Sequence, residues 1–490
     1  MQTVFGARLE HYASTARASP ALAMPGREIA YSELLRRVRS CAAWLTGEPG
    51  LPLQPVGITI AEEIPHLVAS LTLLSLGVPQ ISLPTSEPVS KRLNLAERLG
   101  VGRVLLTDPQ YALPGRDAQL LTPDLDDPAA GHASLDAVLS DPDAPAIYFT
   151  SSGTSGEPKV FALSQRALAW RAELITASER IGAGDRSLTL LSVEDFLVKS
   201  RLLRCAYLGL TSVLAESRSS PSLSVQELCA SLGVTCLELG VLQASSLVLD
   251  NTDPRPLPAQ TKVHTAGATV SLALRHRFKT RFGVPLFVHY GAREFGRIAS
   301  TFPDSDDEEL ETVGLPVPWI DLEIVDDDGK PLPPGEVGEV RVRSECMTRE
   351  YHRDPVATAR HFKDGWFYPR DLASLTPGGA LCLHGRADDM MNLNGIKIFP
   401  SEIERVLEAH PAVKAAAAFS RSSAALGDIP IAAVELHASV AIGVEELMAC
   451  ARERLGVRAP RKIIVLDALP RNAAGKVLKR ELASLLAASD

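Results

Sequence analysis

The sequence predicts an α/β protein in two parts: a large N-terminal domain of parallel-type α/β layers with a β subdomain, and a small α+β C-terminal unit able to fold as a separate lid domain. Three observations predict it. Helical patterns alternate with short apolar strands through the first half of the chain; short alternating runs divided by Asp-Gly and Pro-Gly turns fill 313–343; and the segment after Gly385 has helices and strands of its own. The 490 residues also exceed what one hydrophobic core usually organises.

The elements follow in order. Ser32 precedes Leu34, Leu35, Val38, Cys41, Ala42 and Leu45, an apolar stripe at helical spacing behind a candidate N-cap. Two helix-then-strand units come next, 65–77 into 80–83 and 90–99 into 101–106. The Pro- and Asp-rich stretch 108–145 reads as surface loop, and further helix-strand patterns cover 198–214 and 228–239. In the β region, 322–325 and 340–342 are the clearest strands. Beyond Gly385, about a hundred residues form a domain-sized unit with helices at 401–409 and 444–455 and strands at 413–419 and 431–436. The expected division is 1–387 for the core and 388–490 for the lid.

Composition narrows the function. With 46% hydrophobic and 22% charged residues the chain reads as soluble and globular, and a net charge of -9 with scattered Lys and Arg argues against a nucleic-acid surface. Seven cysteines form no CxxC pair or metal-ligand spacing. The most apolar early stretch, 66–83, is interrupted by Ser70, Thr72, Ser75, Gly77 and Pro79, and no signal pattern opens the chain. A cytoplasmic protein without a membrane role is expected.

The most informative string is YFTSSGTSGEPK at 148–159, an apolar strand entering a Ser/Thr/Gly loop that closes on Pro-Lys. Small residues let the backbone approach an anion, while N–H groups, hydroxyls and one lysine supply donors to phosphate oxygens. It differs from the GxxxxGK[ST] loop because its lysine follows a proline and no helix start comes next.

This string resembles the signature loop of the adenylate-forming superfamily, which includes acyl- and aryl-CoA synthetases, the adenylation domains of nonribosomal peptide synthetases and firefly luciferase. Five more segments resemble that family in order: HTAGATVS at 264–271, YGARE at 290–294, 366–371, 385–404, and LPRNAAGKVLKREL at 469–482. The resemblance spans nearly the whole chain. It implies an ATP- and Mg2+-dependent ligase that converts a carboxylic acid to an acyl-AMP, releases pyrophosphate and passes the acyl group to the thiol of coenzyme A. A separate carrier protein's phosphopantetheine is the alternative acceptor. A luciferase-like oxygenase or a non-catalytic nucleotide-binding relative are the competing classes.

Carried over by residue, the resemblance gives Ser151, Ser152, Gly153, Thr154, Ser155, Gly156 and Lys159 to the ATP phosphates, and Glu294 to Mg2+, a hard cation that prefers oxygen. Gly267 and Ala268 would border adenine beside His289, Tyr290 and Gly291, with Tyr290 stacked on the ring. Asp371 would accept from the ribose hydroxyls, with Arg386 nearby. Lys476 would bridge the attacking carboxylate and the α-phosphate. Thr154, Glu294 and Lys476 are thus the implied catalytic set, Asp388 the hinge, and Gly395 a flank of the pantetheine path. Ala266, Gly267 and Gly291 would wall the acid pocket with Glu194, Asp195 and Phe196. Glu194 or Asp195 would either meet an ammonium or hydroxyl of the substrate or pair internally with Lys199 or Arg201, since buried carboxylates are costly alone.

Two departures stand out. Arg293 replaces the usual threonine of Tyr-Gly-x-Thr-Glu, and Pro369-Arg370 replaces Thr-Gly before the aspartate. The first puts a long cation either on phosphate or toward the acid; the second requires a different loop path.

Overall fold

The computed structural model describes residues 2–16, 19–47, 54–121, 135, 140–151, 158–215, 223–250, 252–301, 312–345, 347–423, 427–437, 442–471 and 477–487. Two large sheets form the N-terminal part. The nine-stranded sheet carries a parallel centre, Leu286–Ala292, Lys262–Ala266, Cys236–Gly240, Arg186–Thr189, Thr211–Val213 and Pro20–Met24 in spatial order, with antiparallel strands toward its edges. The six-stranded sheet runs from Asp117–Leu120 through Arg103–Leu106, Val56–Thr59, Gln80–Ser82 and Pro145–Ser151 to Lys159–Ser164.

Helices packed between these sheets explain the continuous apolar patterns. Glu63–Leu76 buries Leu67, Leu71, Leu73 and Leu74 and ends where Gly77 adopts φ 74°, its N–H reaching the carbonyls of Leu73 and Leu74. The core there also joins Phe5, Leu9, Val38, Phe161, Leu202 and Leu203. Next to it Tyr31–Gly47 begins one residue before Ser32, so Ser32 lies in the first turn and is not the cap that the sequence suggested. Tyr31 is fully buried and donates to the carbonyl of Leu210 at 2.7 Å, which anchors the helix start from below.

Part of the stretch 108–145 also differs from expectation, while residues 122–134 and 136–139 lie outside the described residues. Asp117–Leu120 is an edge strand paired parallel to Arg103–Leu106, and Asp117 accepts from Arg103 at 2.8 Å. Its polar sequence lacks the alternation that marks a half-buried strand, which is why composition alone reads it as loop.

The β region is antiparallel, with Leu322 opposite Val342 and Ile324 opposite Val340 in a six-stranded sheet that also contains Asp371–Leu375 and Leu381–Arg386. The last hundred or so residues, a domain-sized length, have an apolar centre of their own built from Met391, Ile398, Ile403, Leu407, Val434 and Leu447. No helix among the described residues is long and apolar enough to cross a membrane.

Candidate active site

A cavity of about 660 Å3 opens at the carboxyl ends of Cys236–Gly240, Lys262–Ala266 and Leu286–Ala292, the usual ligand position in a parallel sheet. Strand Leu286–Ala292 supplies His289, Tyr290, Gly291 and Ala292 to its wall. Gly291 is required by close approach: a Cβ there would sit 2.2 Å from the carbonyl oxygen of Gly296 on the neighbouring strand.

At one end the cavity brings together Tyr290, Asp371 and Arg386. The Tyr290 hydroxyl donates to Asp371 Oδ2 at 2.6 Å, and Arg386 Nη1 lies 3.6 Å from Asp371 Oδ1. Burial, then the adjacent Asp371 carboxylate, pushes the Tyr290 phenol well up, so it remains a donor. Asp371 is opposite Arg386 in the register of two antiparallel strands, which fixes the pair before any ligand arrives.

Near the phosphate loop, Lys159 and Glu294 share the same wall. Lys159 is paired across the hairpin with Ser151, so the loop spans two antiparallel strands. Its Nζ lies 2.7 Å from His361 Nε2 and 5.0 Å from the centroid of Tyr351. His361 Nδ1 is 2.9 Å from the carbonyl of Tyr368, an arrangement that assigns the ring proton to Nδ1 and leaves Nε2 to accept from lysine. Burial pushes the Lys159 pKa down against the opposing pull of Glu294. Glu294 accepts from Tyr351 Oη at 2.8 Å and is 7% exposed. Arg171 holds this turn by donating to the carbonyls of Arg293 and Glu294 at 2.9 and 2.8 Å. A buried carboxylate on the cavity wall beside a lysine suits a hard cation carried in with phosphates, so Glu294 fits the Mg2+ role chemically.

Arg293 reaches back to the carbonyl of Thr150 at 2.8 Å and lies 5.4 Å from the Phe196 centroid. It therefore bridges the strand Pro145–Ser151 to the start of the helix Phe196–Leu208. The acid wall includes Asp195, Phe196, Ala266, Gly267 and apolar residues such as Leu168, Ala172 and Ile175. Glu194 is not on that wall. Its carboxylate accepts from the Thr85 N–H and hydroxyl at 2.7 and 3.0 Å, tying two loops together. Asp195 caps the helix Phe196–Leu208 by accepting from the Leu197 N–H at 2.8 Å. Neither internal partner suggested by the sequence is used, since Lys199 donates to Ser82 Oγ and Arg201 to the Ser187 carbonyl.

A buried polar cluster, of which the sequence reading named only His289 as a site residue, lines this wall and backs it. Glu179 pairs with Arg297, and His264 Nδ1 meets His289 Nε2 at 2.7 Å while His289 Nδ1 meets Ser300 Oγ at 2.8 Å. Burial pushes both histidines below their ordinary range, so they sit neutral. Arg204 pairs with Glu238. The available signal was Glu238 inside the apolar run 236–240 and two arginines inside an apolar helix, since buried charges demand partners.

Asp388 also reaches the cavity, held by Arg360 at 2.7 Å, Arg370 at 3.7 Å and Arg386 at 3.9 Å. Arg370 takes φ 69° and donates to Glu339 at 2.8 Å, and its carbonyl accepts from the Ala387 N–H at 2.9 Å. The Pro369-Arg370 departure thus connects the loop before Asp371 to the segment around Ala387 and Asp388. Ala268 and Gly395 are exposed and off the cavity wall. Ser152, Gly153, Thr154, Ser155, Gly156 and Lys476 lie outside the described residues.

The AMP-binding enzyme family model matches residues 9–352 and the AMP-binding enzyme C-terminal domain matches 402–476, so the chain belongs to the AMP-binding enzyme family. It is 30% identical over 364 residues to an indoleacetate–CoA ligase of Aromatoleum aromaticum, covering 72% of this chain and 70% of that protein. It is 27% identical to a 2-succinylbenzoate–CoA ligase of Bacillus subtilis over 94% of each. Among solved structures, the o-succinylbenzoate CoA synthetase of Bacillus subtilis bound to its acyl-adenylate intermediate superposes with a TM-score of 0.84, 25% identity and 97% coverage of both chains. An amide bond synthetase of Marinactinospora thermotolerans shares the fold at a TM-score of 0.84 and 24% identity, covering 98% of this chain and 99% of that one.

Proposed function

We propose that this protein is an AMP-forming acid–CoA ligase: it activates a small carboxylic acid with ATP and transfers the acyl group to the thiol of coenzyme A. The observation that carries the reading is one cavity with three compatible parts. These are the Tyr290–Asp371–Arg386 constellation, Lys159 and Glu294 on the same lining, and an apolar wall behind Gly267 and Gly291. The similarity to CoA ligases over most of the chain supports the same activity.

In the first step a carboxylate oxygen attacks the α-phosphorus and the bond to pyrophosphate breaks. Asp371 holds the ribose hydroxyls, Tyr290 lies against adenine, and Arg386 adds a donor near the ribose and phosphates. Lys159 binds phosphate oxygens together with the loop 151–156, in which Thr154 has a catalytic part. Glu294 holds Mg2+, which supplies charge neutralisation on the phosphates when bound. Lys476 neutralises the meeting of carboxylate and phosphate. In the second step the thiol sulfur attacks the acyl carbon, AMP leaves, and the thiol proton passes to solvent. The core spans 1–387 and the lid 388–490, with Asp388 as the hinge between two lid orientations. Gly395 then flanks the pantetheine path.

The test is pyrophosphate release with ATP and Mg2+ across fatty, aryl and amino-bearing acids, with and without CoA, for the native protein and Lys476→Ala. Acid-dependent release lost in the variant, with a CoA thioester as product, upholds the reading. Thioester formed only on an added carrier protein moves the acceptor. ATP binding with no release for any acid sinks the enzymatic assignment.

A further inference from the structure

The lining of the cavity is charged in part, although residues such as Leu168, Ala172 and Ile175 make much of it apolar. Arg201, Arg204, Glu238 and Arg297 are part of that lining. Arg204 is paired with Glu238 and Arg297 with Glu179, which leaves Arg201 over. Arg201 is 1% exposed, donates through Nη1 to the Ser187 carbonyl at 2.7 Å, and has no hydrogen-bond partner at Nε or Nη2. No carboxylate lies within ion-pair distance of it among the described residues. Nε of Arg204 is also unpartnered.

The charge balance among these groups is therefore three guanidinium groups against two carboxylates, with His264 and His289 neutral. A lysine so placed could shed its proton, but a guanidinium cannot. Burying an uncompensated charge is costly unless something of opposite sign arrives. The unmet groups on the arginines are all donors, so the missing partner is an acceptor, and the surplus charge makes it an anion.

We propose that the acid substrate is a dicarboxylic acid, whose second carboxylate, the one not activated, is received by Arg201 and Arg204. This rests on reading the cavity as the acid site of a ligase. Glu238 then has a specificity role of opposite sign: it neutralises Arg204 and limits how strongly the site favours anions. Arg201 and Arg204 stand three residues apart on one helix, facing strands Arg186–Thr189 and Cys236–Gly240, so both reach one substrate end.

The test compares matched pairs, adipate with hexanoate and a phenylene diacid with benzoate, by acid-dependent exchange of pyrophosphate into ATP. The native protein should favour each diacid at least tenfold in kcat/KM. Arg201→Met should lose at least tenfold of that preference, read as the ratio of diacid to monoacid kcat/KM; Arg201→Lys should keep part of it. Glu238→Gln, which frees Arg204, should raise the preference. A merely structural arginine would depress both acids alike. Equal turnover of the paired acids by the native protein, or an unchanged preference in Arg201→Met and Glu238→Gln, overturns the proposal. If no acid supports exchange, calorimetric titration of adipate and hexanoate in the presence of AMP separates the two ideas. Tighter binding of adipate upholds the anion site while the ligase reading fails; equal or absent binding overturns both.

Discussion

Lys199→Met should stabilise the protein near pH 7 and remove part of its pH dependence. Lys199 is 2% exposed, its Nζ donates to Ser82 Oγ at 2.9 Å, and no carboxylate pairs with it among the described residues. Burial drives its pKa from the ordinary 10.5 down to about 7. Because the folded value is depressed, the site costs nothing above the unfolded pKa of 10.5. The cost grows as pH falls toward 7 and is constant below. Over that window it reaches about 4 kcal/mol, at 1.36 kcal/mol per pH unit of displacement. Methionine fills a similar volume without charge. It forfeits one hydrogen bond, about 1 kcal/mol, and Ser82 keeps His66 Nε2 at 3.2 Å. The net gain near pH 7 is about 3 kcal/mol, which for a chain of this size corresponds to a rise of about 3 °C in Tm. Thermal unfolding of both proteins from pH 7 to 10 is the assay. The curves should converge at the alkaline end as the native lysine loses its penalty. Parallel pH profiles, or a variant less stable at pH 7, would refute the account of Lys199 as a buried cost.

Two further outcomes follow from the cavity. Asp371→Asn weakens a 2.6 Å acceptor for Tyr290 and removes the charge facing Arg386; at about 1.5–3 kcal/mol for a charge-assisted bond, KM for ATP should rise at least tenfold with little change in Tm, measured by initial rates and a melt. His361 must be neutral at Nε2 to accept from Lys159, and burial, reinforced by Lys159 and opposed by its bond to the Tyr368 carbonyl, holds its pKa below 6.5. Activity should therefore fall as pH drops through that depressed value, and His361→Gln should flatten this acid limb in a kcat/KM profile; an unchanged limb would remove His361 from the phosphate end.

Much of this was legible because it is encoded locally. The helix-strand alternation from 63 to 106, the β pairing of 322–325 with 340–342, and the separate C-terminal core follow from apolar period and turn chemistry. The ordered motifs located Lys159, Tyr290, Glu294, Asp371 and Arg386, which the fold gathers on one cavity wall. Tertiary structure decided what period and motif do not carry. Glu194 turns to Thr85, Lys159 to His361, Arg293 to Thr150, and Arg370 to Glu339 and Asp388; each partner is at least eighteen residues away along the chain. The same holds for Arg201. As a residue in a helix its charge was visible in the sequence, but its lack of a counter-ion is a property of the surrounding sheet and neighbouring pairs. A sequence specifies which groups are charged; only the packed chain determines which charges are left for a ligand to meet.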